Sequence, residues 1–177
     1  MPLLALPTHT TRLALPAVAM VLAVLQGCSS APPMARSEDM PPPPRAAIAA
    51  RLTTSQAADV TLNAVSLVGT PYRRGGNTPE SGFDCSGLIR YVYKASAGVN
   101  APRTVAQLSD WGQAVPSDAV QTGDLVVFTL GSGPASHAGI YVGDGRFVHA
   151  PSTGGEVRLD RLASVYWSRQ QVAFRRP

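Results

Sequence analysis

Two cysteines and three histidines supply every thiol and imidazole in the 177-residue chain. Cys28 and His9 fall in the N-terminal region considered below, which leaves Cys85, His137 and His149. These are the types that nucleophilic acyl transfer requires. A thiolate attacks, a base takes the proton, and a polar partner orients the base. Cys85 lies in GFDCSGL, Gly82 to Leu88, where a helical pattern begins. A helix N-terminus and a nearby imidazole both favour the thiolate. Asp84 or a neighbour caps that helix. Gly87 in its first turn costs about 1 kcal/mol against alanine, which room for a substrate over the thiol would offset. A second reading makes Cys85 a buried structural thiol, as free cysteines often are. This stretch alone does not separate the two. The Tyr72 hydroxyl, with backbone N–H groups near Cys85, could stabilise an oxyanion; packing is its other reading. No short paired spacing supports a zinc site, so no metal or other cofactor is expected.

The two histidines flank a hairpin signal, Asp144-Gly145. If those two residues are the whole loop, Ile140 faces His149, and alternation sends His137 to the opposite side. A three-residue loop, Gly143 to Gly145, pairs Gly139 with His149 and puts both histidines on one face. Cooperation between them therefore requires an odd loop, one bulge, or a His137 that precedes regular pairing.

The elements that must position these residues follow from periodicity. Ala57, Val60, Ala64, Val65, Leu67 and Val68 have helical spacing, with Thr54 or Ser55 as cap and Gly69 and Pro71 as stop. Pro71 to Gly82 reads as a polar loop. Cys85 to Ala97 reads as a second helix ended by Gly98, and Val105 to Trp111 as a short one. After Gly123 the period becomes two. Leu125–Phe128, His137–Gly143, Arg146–Ala150, Val157–Leu159 and Trp167–Phe174 are candidate strands. Helices followed by a small antiparallel sheet define an α+β domain over residues 53–177.

Residues 1–27 have a different character. His9 and Arg12 precede LALPAVAMVLAVL, Leu13 to Leu25. This run is shorter than the about 20 residues a membrane span needs and has the length of a signal-peptide core. LQGC, Leu25 to Cys28, resembles a bacterial lipoprotein signal, with Cys28 as the lipidated residue; a secretory peptide with a stray cysteine is the plainer reading. Ser29 is not the aspartate associated with inner-membrane retention. The resemblance therefore implies a lipid anchor in the membrane at the periplasmic face of the outer membrane. Residues 28–52, rich in Pro, Ala and Ser with PPPP at 41–44, read as an extended tether.

The formal charge is +4, but the 15 basic residues are scattered. Without a Lys/Arg block to track phosphates, nucleic-acid binding is not expected.

PYRRGG, FDCSGL, APRT, TGDLVVF, SHAGIYVGDGRFVHA and YWSRQQVAFRR, in this order, resemble the NlpC/P60 family of cell-wall cysteine peptidases. The lipidated arrangement is similar to that of the lipoprotein murein endopeptidases of the Spr/NlpC type. The resemblance implies a papain-like core of N-terminal helices on an antiparallel sheet. It implies a Cys85 nucleophile, a His137 base, a His149 orienting partner and Tyr72 near the oxyanion. Arg103, Ser86 and Ser136 become candidate substrate-binding residues, and Asp124 falls at a recurrent position. The implied reaction is hydrolysis of peptidoglycan stem peptides or crosslinks by a monomer. The alternatives are a non-catalytic wall-binding scaffold and a thiol amidase or acyltransferase with another substrate.

Overall fold

A computed structural model of the chain describes residues 52–152 and 155–177. The expected signal peptide, the lipidation site Cys28 and all of the tether but Leu52 lie outside the described residues. Helix α1 is Thr54–Ser66. Its cap is Thr53, one residue before those expected, because Thr53 and Gln56 close a reciprocal capping box. The loop that follows carries a small hairpin, β1 (Asn77–Thr78) and β2 (Gly82–Phe83). Helix α2 is Cys85–Ala97, capped by the Asp84 side chain and ended by Gly98 in the left-handed region. Helix α3 is shorter than expected, Val105–Leu108.

Strands β3 (Gln113–Val115), β4 (Leu125–Thr129), β5 (His137–Gly143), β6 (Arg146–His149), β7 (Arg158–Arg161) and β8 (Gln171–Arg176) form one antiparallel sheet. Their order is β3-β8-β4-β5-β6-β7. Trp167–Arg169, expected to start a strand, forms a 3-10 turn before β8. Strand β3, too short and polar to show periodicity, pairs with the end of β8.

Leu125 and Val127 of β4, Ala138 and Ile140 of β5 and Val148 of β6 pack with Val60 and Ala64 of α1 and Leu88, Ile89 and Val92 of α2. The alternate residues Val126, Phe128 and Phe147 join Trp167 and Phe174 in a second cluster. Leu125 to Phe128 is thus buried on both faces, which explains an unbroken apolar run in an antiparallel strand. Asp124 is buried against Arg176, at 2.7 and 2.8 Å, and joins the start of β4 to the end of β8.

Gly87 has a packing reason rather than the open space expected over it. A Cβ there would lie 2.0 Å from the Gly76 carbonyl oxygen. The Arg73–Gly76 turn therefore rests directly on the first turn of α2. Gly87→Ala should gain about 1 kcal/mol of helix propensity yet lower stability overall by about 1–3 kcal/mol through the clash. Urea unfolding of the two proteins checks this; a variant as stable as the parent would show that the turn yields freely.

Candidate active site

Cys85 is the first residue of α2 and is partly buried. The helix start is held by a saturated carboxylate. Asp84 Oδ1 accepts from the Gly87 amide at 2.7 Å and from Arg103 at 3.0 Å, and Oδ2 accepts from the Gly75 amide at 2.9 Å and from Arg103 at 2.6 Å. Ser86 Oγ donates to Asp84 and accepts from Arg103. Arg103 and Ser86, singled out as substrate contacts, are thus both engaged with Asp84. Ser136 is exposed just before β5, where its hydroxyl accepts from the Leu130 amide at 3.4 Å. Tyr72 bridges to Phe83, two residues before Cys85, and its ring packs partly buried against the main core.

The hairpin resolves the register condition. Asp144 and Gly145 both have positive φ, 51° and 67°, as a two-residue type I′ turn demands. Gly143 accordingly pairs with Arg146. One extra residue then sits between Tyr141 and Gly143, and beyond this bulge Tyr141 pairs with Phe147 and Gly139 with His149. His137 and His149 consequently share a face. Gly139 keeps the position opposite His149 open, since a Cβ there would lie 3.1 Å from that of His149 and 2.7 Å from the Val148 oxygen.

On that face the side chains form a hydrogen-bonded line. His137 Nε2 lies 2.8 Å from His149 Nδ1, and His149 Nε2 lies 3.0 Å from Asp160 Oδ2. The chemistry of the last group orients the others. Burial pushes the Asp160 carboxyl up, but hydrogen bonds from Trp167 and His149, with the nearby charge of Arg158, hold it below its ordinary value. An ionised carboxylate only accepts. Neutral His149 therefore carries its proton on Nε2 and accepts at Nδ1. His137 must donate from Nε2, which leaves its Nδ1 as the free basic nitrogen. The Trp167 indole donates to the same Asp160 oxygen at 2.9 Å. Its ring stacks on His137 at 5.4 Å and 21° and meets His149 edge-on at 88°.

Asp160, Trp167 and Arg158 were not among the residues singled out from the sequence. A signal for Asp160 existed. β7 pairs Arg158 with His149 and Asp160 with Phe147, so alternation puts both charged residues on the histidine face. The expected strand stopped at Leu159, one residue short.

Electrostatics differ from the expected thiolate. Burial and then the Asp84 charge push the Cys85 thiol above its ordinary value, against the amides of Ser86, Ala138 and Cys85 itself. The Ala138 amide among these places the sulfur against β5, at the residue that follows His137 in the chain. Burial, reinforced by His149 and opposed by Asp160, lowers His137 to about 3. Burial lowers His149 to about 4, with Asp160 opposing. Burial therefore works against charge on the thiol and on both imidazoles alike.

The sequence profile of the NlpC/P60 family matches residues 69–176, which contain every one of these groups. The chain belongs to the NlpC/P60 family. It is 44% identical over 112 residues to murein DD-endopeptidase MepH of Escherichia coli (strain K12), covering 62% of this chain and 41% of that protein. It is 40% identical over 119 residues to gamma-DL-glutamyl hydrolase of Bacillus subtilis (strain 168), covering 66% of this chain and 28% of that one. The chain therefore spans less than half the length of either relative. The crystal structure of the NlpC/p60 domain of peptidoglycan hydrolase SagA aligns with a TM-score of 0.57 and 32% identity, over 66% of this chain and 96% of that domain. The α+β fold is that of the NlpC/P60 family, with helices packed on an antiparallel sheet.

The histidine values carry a stability consequence. Both folded pKa values lie below the ordinary 6.5. As pH falls through 6.5 the unfolded chain takes up protons that the folded chain refuses until near 4. The stabilisation is complete above 6.5 and is lost as pH falls toward 4, by at most about 2.7 kcal/mol per pH unit for two protons. Denaturant unfolding from pH 8 to 4.5 should give a plateau and then this decline. A profile flat through the decline would show that the histidines titrate normally.

Proposed function

We propose that this protein is a cysteine peptidase that hydrolyses amide bonds in peptidoglycan stem peptides or crosslinks. The observation that carries the reading is the oriented line His137–His149–Asp160, in a domain whose lone described thiol starts a helix and meets the Ala138 amide next along β5. The murein DD-endopeptidase named above, a relative in the same family, supports the substrate class.

In this reading Cys85 Sγ attacks the peptide carbonyl while its proton passes to His137 Nδ1. The proton moves as the S–C bond forms, so neither buried charge stands alone. Amides at the start of α2 and the Tyr72 hydroxyl stabilise the oxyanion. The tetrahedral species collapses, the C–N bond breaks, and His137 gives its proton to the departing amine. Water then attacks the thioester, loses a proton to His137, and releases the acid; that proton returns to the sulfur. His149 supports the imidazolium that forms twice in this cycle. Asp160 is a positioning residue that selects the tautomers of both histidines. Arg103 and Ser86, through Asp84, hold the helix start that presents the thiol.

Digestion of purified peptidoglycan with the full-length protein, followed by mass spectrometry of the fragments, tests the reading and identifies the bond. Cys85→Ala should abolish fragment release; release at the parental rate would remove Cys85 from the mechanism. Asp160→Ala should lower kcat by about 10²-fold or more. Asp160→Asn should recover part of this, because its amide oxygen can accept where Oδ2 does. Imidazole ¹⁵N shifts should report scrambled tautomers in Asp160→Ala alone; parental shifts in that variant would reduce Asp160 to a packing role.

The address belongs to the same proposal: residues 1–27 as signal, Cys28 as lipid anchor, a tether to residue 52, and the domain at the periplasmic face of the outer membrane. Cys28→Ser should move the protein from the membrane to the soluble fraction. Retention of the variant in the membrane would refute anchoring through Cys28.

A further inference from the structure

A cavity of about 370 Å³ opens beside His137. Its walls include His137, Ser152, Arg158, Asp160, Tyr166 and Trp167, and no residue of α2 or of the turns before it. The division has a mechanistic meaning, and the inference drawn from it rests on the peptidase reading. The acyl half of the substrate must lie over Cys85 and the amides of α2. The departing amine must lie against His137, which protonates it. A cavity walled by His137 and separate from α2 is therefore where the amine half of the substrate goes.

Arg158 is the cation of that cavity, and its engagement is looser than that of Arg103 and Arg176. Arg103 and Arg176 each meet a carboxylate through two nitrogens, at 2.6 and 3.0 Å and at 2.8 and 2.7 Å. Arg158 touches Asp160 through Nη2 alone, at 3.2 Å, on an oxygen that already accepts from Trp167 and His149. Half of its side chain remains exposed. The rest of its donor fork is thus available, and a planar fork suits a carboxylate. Two strand spacings, about 10 Å, separate β5 from β7. An arginine side chain and a single residue of the leaving group bridge that gap. Trp167 and the exposed Tyr166 offer apolar surface for the stem of that residue.

We infer that Arg158 and this cavity form a subsite for the amine-side residue of the scissile bond, one that carries a free carboxylate on the carbon bearing the departing amine. The chemistry makes the enzyme discriminate against substrates in which that carboxylate is converted to a carboxamide. A carboxamide keeps the shape and loses the charge.

The test uses two synthetic peptides spanning the bond identified in the peptidoglycan digest, alike except for carboxylate or carboxamide at that position. The full-length protein should favour the carboxylate by about 10- to 100-fold in kcat/KM, the range of a charge-assisted pair. Arg158→Gln should bring the ratio to about one, and Arg158→Lys should leave an intermediate ratio. The ratio is the readout, so a general loss of activity in either variant cancels. A parent without preference, or an Arg158→Gln protein that keeps the parental ratio, overturns the subsite and leaves the peptidase reading intact. Failure of the parent to cleave peptidoglycan overturns both.

Discussion

Side chains on paired strands alternate with a period of two, so His137 and His149 can meet only because β5 carries one extra residue between Tyr141 and Gly143. A tight Asp144-Gly145 turn without that bulge would send one histidine to each face. The bulge restores the match and pairs Gly139 with His149. The 2.8 Å contact between the imidazoles, the reach of His149 to Asp160 and the cover of Trp167 all follow from that register. The hairpin is therefore a constraint on chemistry as much as on the sheet.

Two carboxylates organise the region from opposite sides. Asp84 caps α2, closes the Gly75–Gly76 turn over it and pairs with Arg103, so one carboxylate ties the helix start to two other segments. Asp160 stands at the end of the histidine line and gathers the Trp167, Arg158 and His149 donors on one oxygen. Their effects on the thiol and imidazoles differ. Asp84 lies next to the sulfur and opposes its ionisation. Asp160 favours charge on the histidines but is outweighed by their burial. Burial thus opposes charge on the thiol and on both imidazoles.

Much of this was legible along the chain. Cys85–Ala97 was bounded on both sides because its signals are local: an aspartate cap and a glycine stop act within one turn. β5 kept its expected bounds and β4 ran one residue longer because uninterrupted β-rich runs are also local. The losses occurred where the cause is distant. β3 exists only because β8 offers it an edge. Trp167 looked like a strand residue, yet it turns to bring its indole to Asp160. Gly87 looked like room for substrate, and the Gly76 carbonyl from another turn fills that room.

The sequence by itself determined the inventory: a thiol at a helix start, two domain histidines about a hairpin, and an order of motifs specific to one family. Those are properties of residue type and short spacing, which survive without a fold. Only the tertiary structure decided that the histidines share a face, that Asp160 ends their hydrogen-bonded line, and that burial opposes ionisation of the thiol. Register depends on a bulge that no local rule requires. Asp160 becomes a partner only through the pairing of β6 with β7. Ionisation depends on burial, which is a property of everything packed around a group rather than of the group itself.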